Sequence, residues 1–203
     1  MPDISKRLEK AEKYLQKGRQ ADALDEFLQV LKEDPNNDGI RQTAADLAVS
    51  LGRNDEAAEH LTRLFDREAG INDVVKAVAN YKKLARVGTP SLEHMFRYGQ
   101  LVEKSSRRDA MEAYTAAHKG FAAAGRKADS LAVLKRITAL DPTEANYLRE
   151  AELASELGDT KSASMGFLMV GDFQGQAGAD PLAWYERSHQ ADPSSADAAL
   201  KYA

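Results

Sequence analysis

The sequence predicts an all-α protein, an α-solenoid of about twelve antiparallel helices. Pro35, Pro90, Pro142 and Pro193 each close an apolar-periodic segment, and they stand 55, 52 and 51 residues apart, a spacing that marks a repeat architecture. The closed segments share their wording. ADALDEFLQVLKEDPNN (21–37), DSLAVLKRITALDPTEAN (129–146) and DPLAWYERSHQADPSSAD (180–197) each run a helical pattern into Asp-Pro and then a polar start. The 203 residues are also 43% hydrophobic, 30% charged and 7% aromatic, with Ala, Leu, Lys, Glu and Arg plentiful, which favours helix over strand throughout.

Taken in order, residues 3–35 read as a two-helix unit and the rest as units of three helices. Residues 38–90 give patterns at 40–52, 54–70 and 72–88, with Gly52 and Gly70 as left-handed closing residues and Asn54 as an N-cap. Residues 91–142 give 92–105, 107–125 and 127–141, with Gly125 ending the middle helix and Ser105-Ser106 forming the turn and cap before it. Residues 143–193 give 144–158, 161–173 and 181–191, where Pro181 suits a first helical turn. GDFQGQAGADP (171–181) is expected to be a loop or frayed end, because its glycines raise the entropy cost of ordering it. Residues 194–203 open a further helix without the polar outer cap of a terminal repeat, so the single repeat domain over 1–203 reads as a piece of a longer protein.

The residues inside these helices carry a family pattern. Ala11, Tyr14, Gly18, Ala23, Phe27 and Pro35 stand at one spacing, repeated by Ala45, Gly52, Ala57 and Leu61 and by Ala151, Gly158, Ala163 and Phe167. The pattern resembles the tetratricopeptide repeat (TPR), a helix-turn-helix unit of about 34 residues. Small residues let helices approach, larger ones fill the gaps, and Gly closes the turn. Departures stand at Ala69, where Pro is usual, at Ser130, where Ala is usual, and in the recurrence of three helices rather than two. The small positions Ala23, Ala57, Ala77, Ala110, Ser130, Ala163 and Pro181 alternate in steps of 34, 20, 33, 20, 33 and 18. That alternation predicts that the middle helix of each three serves two successive repeats. The resemblance implies a right-handed superhelix whose inner face, lined by first helices, holds partner peptides.

Mapped onto this chain, the implied lining includes Leu8, Glu12 and Leu15, then Gln42, Asp46 and Val49, then Leu92, Met95 and Val102, then Leu148, Glu152 and Glu156. It is apolar and acidic, which favours a basic amphipathic peptide or helix as partner. A TPR subfamily grips C-terminal carboxylates with Lys, Asn and Arg. Here those positions hold Leu8, Glu12, Gln42, Asp46, Met95 and Gly99, so that clamp is not expected. The competing reading packs Leu8, Leu15, Met95 and Leu148 between helices.

Composition and motifs exclude much else. The chain contains no Cys, so it forms no disulfide and does no thiolate chemistry. No apolar run reaches the roughly 18 residues of a membrane span and no secretory leader pattern is present, which fits a cytoplasmic protein. His60, His94, His118 and His189 are not spaced as metal ligands and are expected at the surface or partly buried. GQAG (175–178) lacks the strand and Lys of a phosphate loop. Net charge is −4, yet residues 91–142 hold 9 Lys and Arg against 6 Asp and Glu, while residues 143–203 hold 4 against 10. Arg107, Arg108, Arg126, Lys127, Lys135 and Arg136 therefore offer a basic alternative, nucleic acid or another anionic surface. The expectation is a protein-interaction scaffold with no reaction and no cofactor or metal of its own; the alternatives are that basic-face binder and the recognition arm of a larger enzyme.

Overall fold

A computed structural model describes residues 4–203. Twelve helices and no strand occur among them: α1 (Ile4–Gln16), α2 (Gln20–Glu33), α3 (Asp38–Ser50), α4 (Asn54–Gly70), α5 (Val74–Val87), α6 (Leu92–Val102), α7 (Arg107–Ala123), α8 (Lys127–Leu140), α9 (Glu144–Glu156), α10 (Thr160–Gln176), α11 (Leu182–Ala191) and α12 (Ala196–Tyr202). None is long and apolar enough to cross a membrane. Contacts gather the chain into two compact units that meet in sequence at Val102 and Glu103.

Two kinds of joint set the helix rhythm. The first follows α1, α3, α4, α7, α9 and α10, where Gly18, Gly52, Asn72, Gly125, Gly158 and Gly178 take positive φ of 61–80°. At Gly52, its amide donates to Val49 O at 3.1 Å and the next amide, of Arg53, reaches back to Ala48 O at 2.9 Å. The other five joints repeat this pair of bonds, which satisfies the carbonyls a helix end leaves open. After five of the six, the very next residue is the N-cap of the following helix. Asp73 and Asp159 accept the amides of Lys76 and Ser162. Arg19, Arg53 and Arg126 make no such cap bond; instead each Nε pairs with the carboxylate three residues on, Asp22 at 2.8 Å, Glu56 at 2.9 Å and Asp129 at 2.8 Å. That places an acid against the positive end of the helix dipole.

The second joint is the proline stop. Asp34, Asp141 and Asp192 close α2, α8 and α11 with nearly the same backbone, φ −127°, −132° and −139°. Each precedes Pro, whose ring forces its predecessor out of the helical region. A side-chain cap then restarts the chain: Asn37, Thr143 and Ser195 accept the amides of Ile40, Asn146 and Ala198. Ser91 Oγ, after Pro90, accepts from the amide of His94 at 3.2 Å.

The recurring third helix follows from the order of these joints. In α3–α4–α5 and in α9–α10–α11, two left-handed turns come before one proline stop, and α4 and α10 each pack on both sequence neighbours. Ala69 lacks the usual Pro because the chain there turns through Asn72 instead. Three expectations need correction. Asn54 is the first residue of α4 and the cap is Arg53. Gly70 lies inside α4, and the left-handed residue is Asn72. Residues 171–176 belong to α10, leaving Ala177–Pro181 as the connection. Gly171 is needed for close approach rather than for a loop, since a Cβ there would sit 2.5 Å from the Tyr185 ring.

In the first unit, Ala11, Ala23, Ala44, Ala45, Ala48 and Ala57 are fully buried and let α1 to α4 approach, while Leu24, Phe27, Leu61 and Leu64 fill the space between. An aromatic run continues it, with Tyr81 stacked on Tyr98 at 4.0 Å and Phe65 tilted against Tyr81 at 5.5 Å. Under it, Asn80 Nδ2 donates to Glu68 Oε2 at 2.9 Å between α5 and α4. The second unit repeats the scheme with Leu131, Ala151, Ala154, Ala163 and Phe167, flanked by Trp184. Ser130, the departure from Ala, is buried and its Oγ is hydrogen-bonded to His118 Nδ1 at 2.9 Å across α7 and α8.

Candidate functional site

The residues chosen from sequence divide by exposure. Glu12, Asp46, Glu152 and Glu156 are exposed, and Leu15 and Val49 are 36% and 37% exposed. Leu8, Gln42, Leu92, Met95 and Leu148 are half-buried; Leu8 packs against the core of the first unit and Leu148 against that of the second. Val102 is 3% exposed and is withdrawn as a lining residue, because the end of α6 turns it inward.

Within the first unit, α3 and α5 share a face. Lys83 Nζ on α5 reaches Asp46 Oδ1 on α3 at 2.5 Å, and Gln42 Nε2 donates to the same carboxylate at 3.3 Å. Lys76, Lys82 and Arg86 are also exposed on α5. The lining is therefore not purely apolar and acidic: a basic helix stands beside the acidic one and partly neutralises Asp46. Sequence reading passed over Lys83 because α5 counted as a third helix rather than a first. Glu12 makes no ion pair among the described residues.

In the second unit, His118, Lys127, Ser130, Arg149, Glu152, Leu153 and Glu156 line a cleft of about 310 Å³ between α7, α8 and α9. Lys127 Nζ pairs with Glu156 at 2.9 Å, while Glu152 is left without an ion pair among the described residues. The six cations offered to nucleic acid are mostly engaged by the protein itself. Arg107 pairs with Asp141, Arg126 with Asp129, Lys127 with Glu156, Lys135 with Asp159 and Arg136 with Glu103, leaving Arg108 outside these five pairs.

His60 departs from expectation, being 6% exposed rather than at the surface or partly buried. Burial, helped by the Arg41 charge, lowers its pKa. His94 Nε2 sits 2.9 Å from Asp66 Oδ1, an ion pair when the ring is protonated. No group of His, Asp and Glu that could hold a metal occurs among the described residues.

Residues 14–81 match the tetratricopeptide repeat family. That segment carries the tetratricopeptide repeat pattern. No curated protein is similar to it in sequence. Solved structures similar to this chain include a thermophilic TPR protein of Thermus thermophilus, 19% identical with a TM-score of 0.34, covering 98% of this chain and 96% of that one. A tetratricopeptide repeat protein from Parabacteroides merdae is 12% identical with a TM-score of 0.30, covering 100% and 98%. YrrB, a TPR protein with an unusual peptide-binding site, is 12% identical with a TM-score of 0.26, covering 98% and 91%.

Proposed function

We propose that this chain is a cytoplasmic protein-interaction scaffold, without a reaction of its own, that takes a basic amphipathic peptide or helix on its first-helix face. The observation that supports this is an exposed carboxylate free of ion pairs among the described residues, Glu12, on the same unit as the exposed apolar side chains Leu15 and Val49; in the second unit Glu152 is a like carboxylate beside the half-buried Leu148 on α9. Carboxylates attract Lys and Arg, and apolar neighbours anchor the other face of an amphipathic helix. Asp46 contributes less than its exposure implies, because Lys83 already holds it. The engaged arginines and lysines of α7 and α8 weigh against the nucleic-acid reading.

The test is a fluorescence-anisotropy titration with a basic amphipathic peptide. Asp46→Lys is expected to weaken binding several-fold, added salt to weaken it in part, and Arg107→Glu with Arg108→Glu to leave it unchanged. Loss of binding in the arginine double variant, with RNA or an acidic protein taken up by the parent chain, would overturn the reading.

A further inference from the structure

A second cleft, of about 580 Å³, lies on the first unit among α2, α3 and α4. It is lined by Leu28, Leu31 and Lys32 from α2, Arg41 from α3, and His60 and Arg63 from α4, with Asp25, Glu56 and Glu59 on its walls. Arg41 is 4% exposed and has no carboxylate partner among the described residues. Its Nη1 donates to His60 Nδ1 at 3.4 Å and its Nη2 donates to the carbonyl of Pro35. A guanidinium carries five N–H donors and accepts nothing, so Nδ1 must be the acceptor. The proton of the neutral ring is then on Nε2, which is buried and has no hydrogen-bond partner among the described residues.

Two buried polar atoms of the cleft, the donor His60 Nε2 and the acceptor Glu56 Oε2, thus lack a hydrogen bond among the described residues, a costly arrangement, and the Arg41 guanidinium has N–H groups beyond its two bonds. The wall carboxylates have ion-pair partners of their own: Asp25 and Glu56 lie 3.3 and 2.9 Å from Arg53, and Glu59 3.1 Å from Arg63, although Glu56 Oε2 makes no hydrogen bond among the described residues. Lys32 has no ion pair among the described residues. We propose that this cleft binds a carboxylate, its oxygens taking the open N–H groups of the Arg41 guanidinium and the Nε2–H of His60. A planar two-oxygen acceptor matches the planar fork of Arg, and Leu28 and Leu31 offer an apolar wall to the carbon chain behind it. The cleft shares α3 with the peptide face, but none of its lining residues is among those assigned to that face, so the two sites are tested by different variants.

The experiment titrates acetate, glutarate and a short peptide ending in Glu into the isotope-labelled chain while the ring nitrogens of His60 and Nε of Arg41 are followed by NMR. Saturable shifts at both groups are expected, with no response to glutaramide. Saturation by glutarate assigns a free acid, and saturation by the free peptide but not by its C-terminal amide assigns a protein tail; either supports the site. Arg41→Gln is expected to weaken binding by about tenfold or more. Circular dichroism checks that this variant folds, and His60→Phe, which keeps the ring and removes the Nε2 donor, is expected to weaken binding several-fold in its place. The proposal is overturned if neither group responds, if glutaramide acts like glutarate, or if phosphate saturates where carboxylates do not. It is also overturned if the Nε2 resonance moves in Glu56→Gln and not with added carboxylate, because Glu56 would then be the acceptor.

Discussion

Asp159 acts on two helices at once, accepting the amide of Ser162 to start α10 and an Nζ–H of Lys135 from α8 at 2.7 Å. The Lys135 bond first, then that of Ser162, holds its carboxyl down to about 2, against 3.8 for a free group. A depressed carboxylate stabilises the fold above its unfolded pKa and loses that contribution as pH falls through the folded one. Asn caps as well as Asp but does not titrate. Asp159→Asn is thus expected to be less stable than the parent at pH 6, with the gap between their urea midpoints closing as pH falls toward about 2. At the same scale, Ala57→Leu, between close helices, should cost roughly 1–3 kcal/mol by overpacking, and His60→Ala a comparable amount because the ring is buried and supports Arg41. Urea denaturation measures both, and a negligible cost for His60→Ala would contradict its burial. The alanine was legible in sequence through its spacing. The histidine was not, because burial at position 60 depends on Arg41, 19 residues away in the chain.

At the level of helices and turns, glycines that read alike in sequence separate by backbone. Gly52 has φ of +68°, so Gly52→Ala should cost about 1–2 kcal/mol. Gly70 is helical with open space where a Cβ would go, so Gly70→Ala should be neutral or stabilise by about 0.4–1 kcal/mol. Gly166 makes a third kind: a Cβ there would sit 2.7 Å from Ala151 Cβ and 3.0 Å from Tyr147 O, and backbone cannot yield as a flexible side chain can. Gly166→Ala should cost roughly 1–3 kcal/mol in thermal or urea melts. Helix positions were readable because apolar period and proline stops are local. The Arg-cap turns were not read, Asn54 being taken for the cap, although Gly-Arg followed three residues after the Arg by Asp or Glu recurs at 18–22, 52–56 and 125–129. What no local pattern carries is the reach between helices, and so Lys83, placed by Asp46 37 residues earlier, was missed.

Over the whole chain, each unit has its own core, and Trp184, the sole tryptophan, packs on Phe167 in the second. Its emission reports that unit, so the midpoint read from Trp emission should move more in Gly166→Ala than in Ala57→Leu, whereas far-UV circular dichroism should register both. Equal shifts in emission for the two variants would show that the cores do not unfold as separate parts. The six left-handed turns bear on the whole molecule in another way. Each commits the amide of a connecting residue, Arg19, Arg53, Asp73, Arg126, Asp159 or Ala179, to a carbonyl five residues back at 2.8–2.9 Å. Connections are ordinarily where amide hydrogens trade fastest with solvent. In deuterium uptake these six sites should instead lag with the helices around them, while the residues following each Asp-Pro stop exchange early, so that the map shows fast gaps at the proline stops rather than at every helix end.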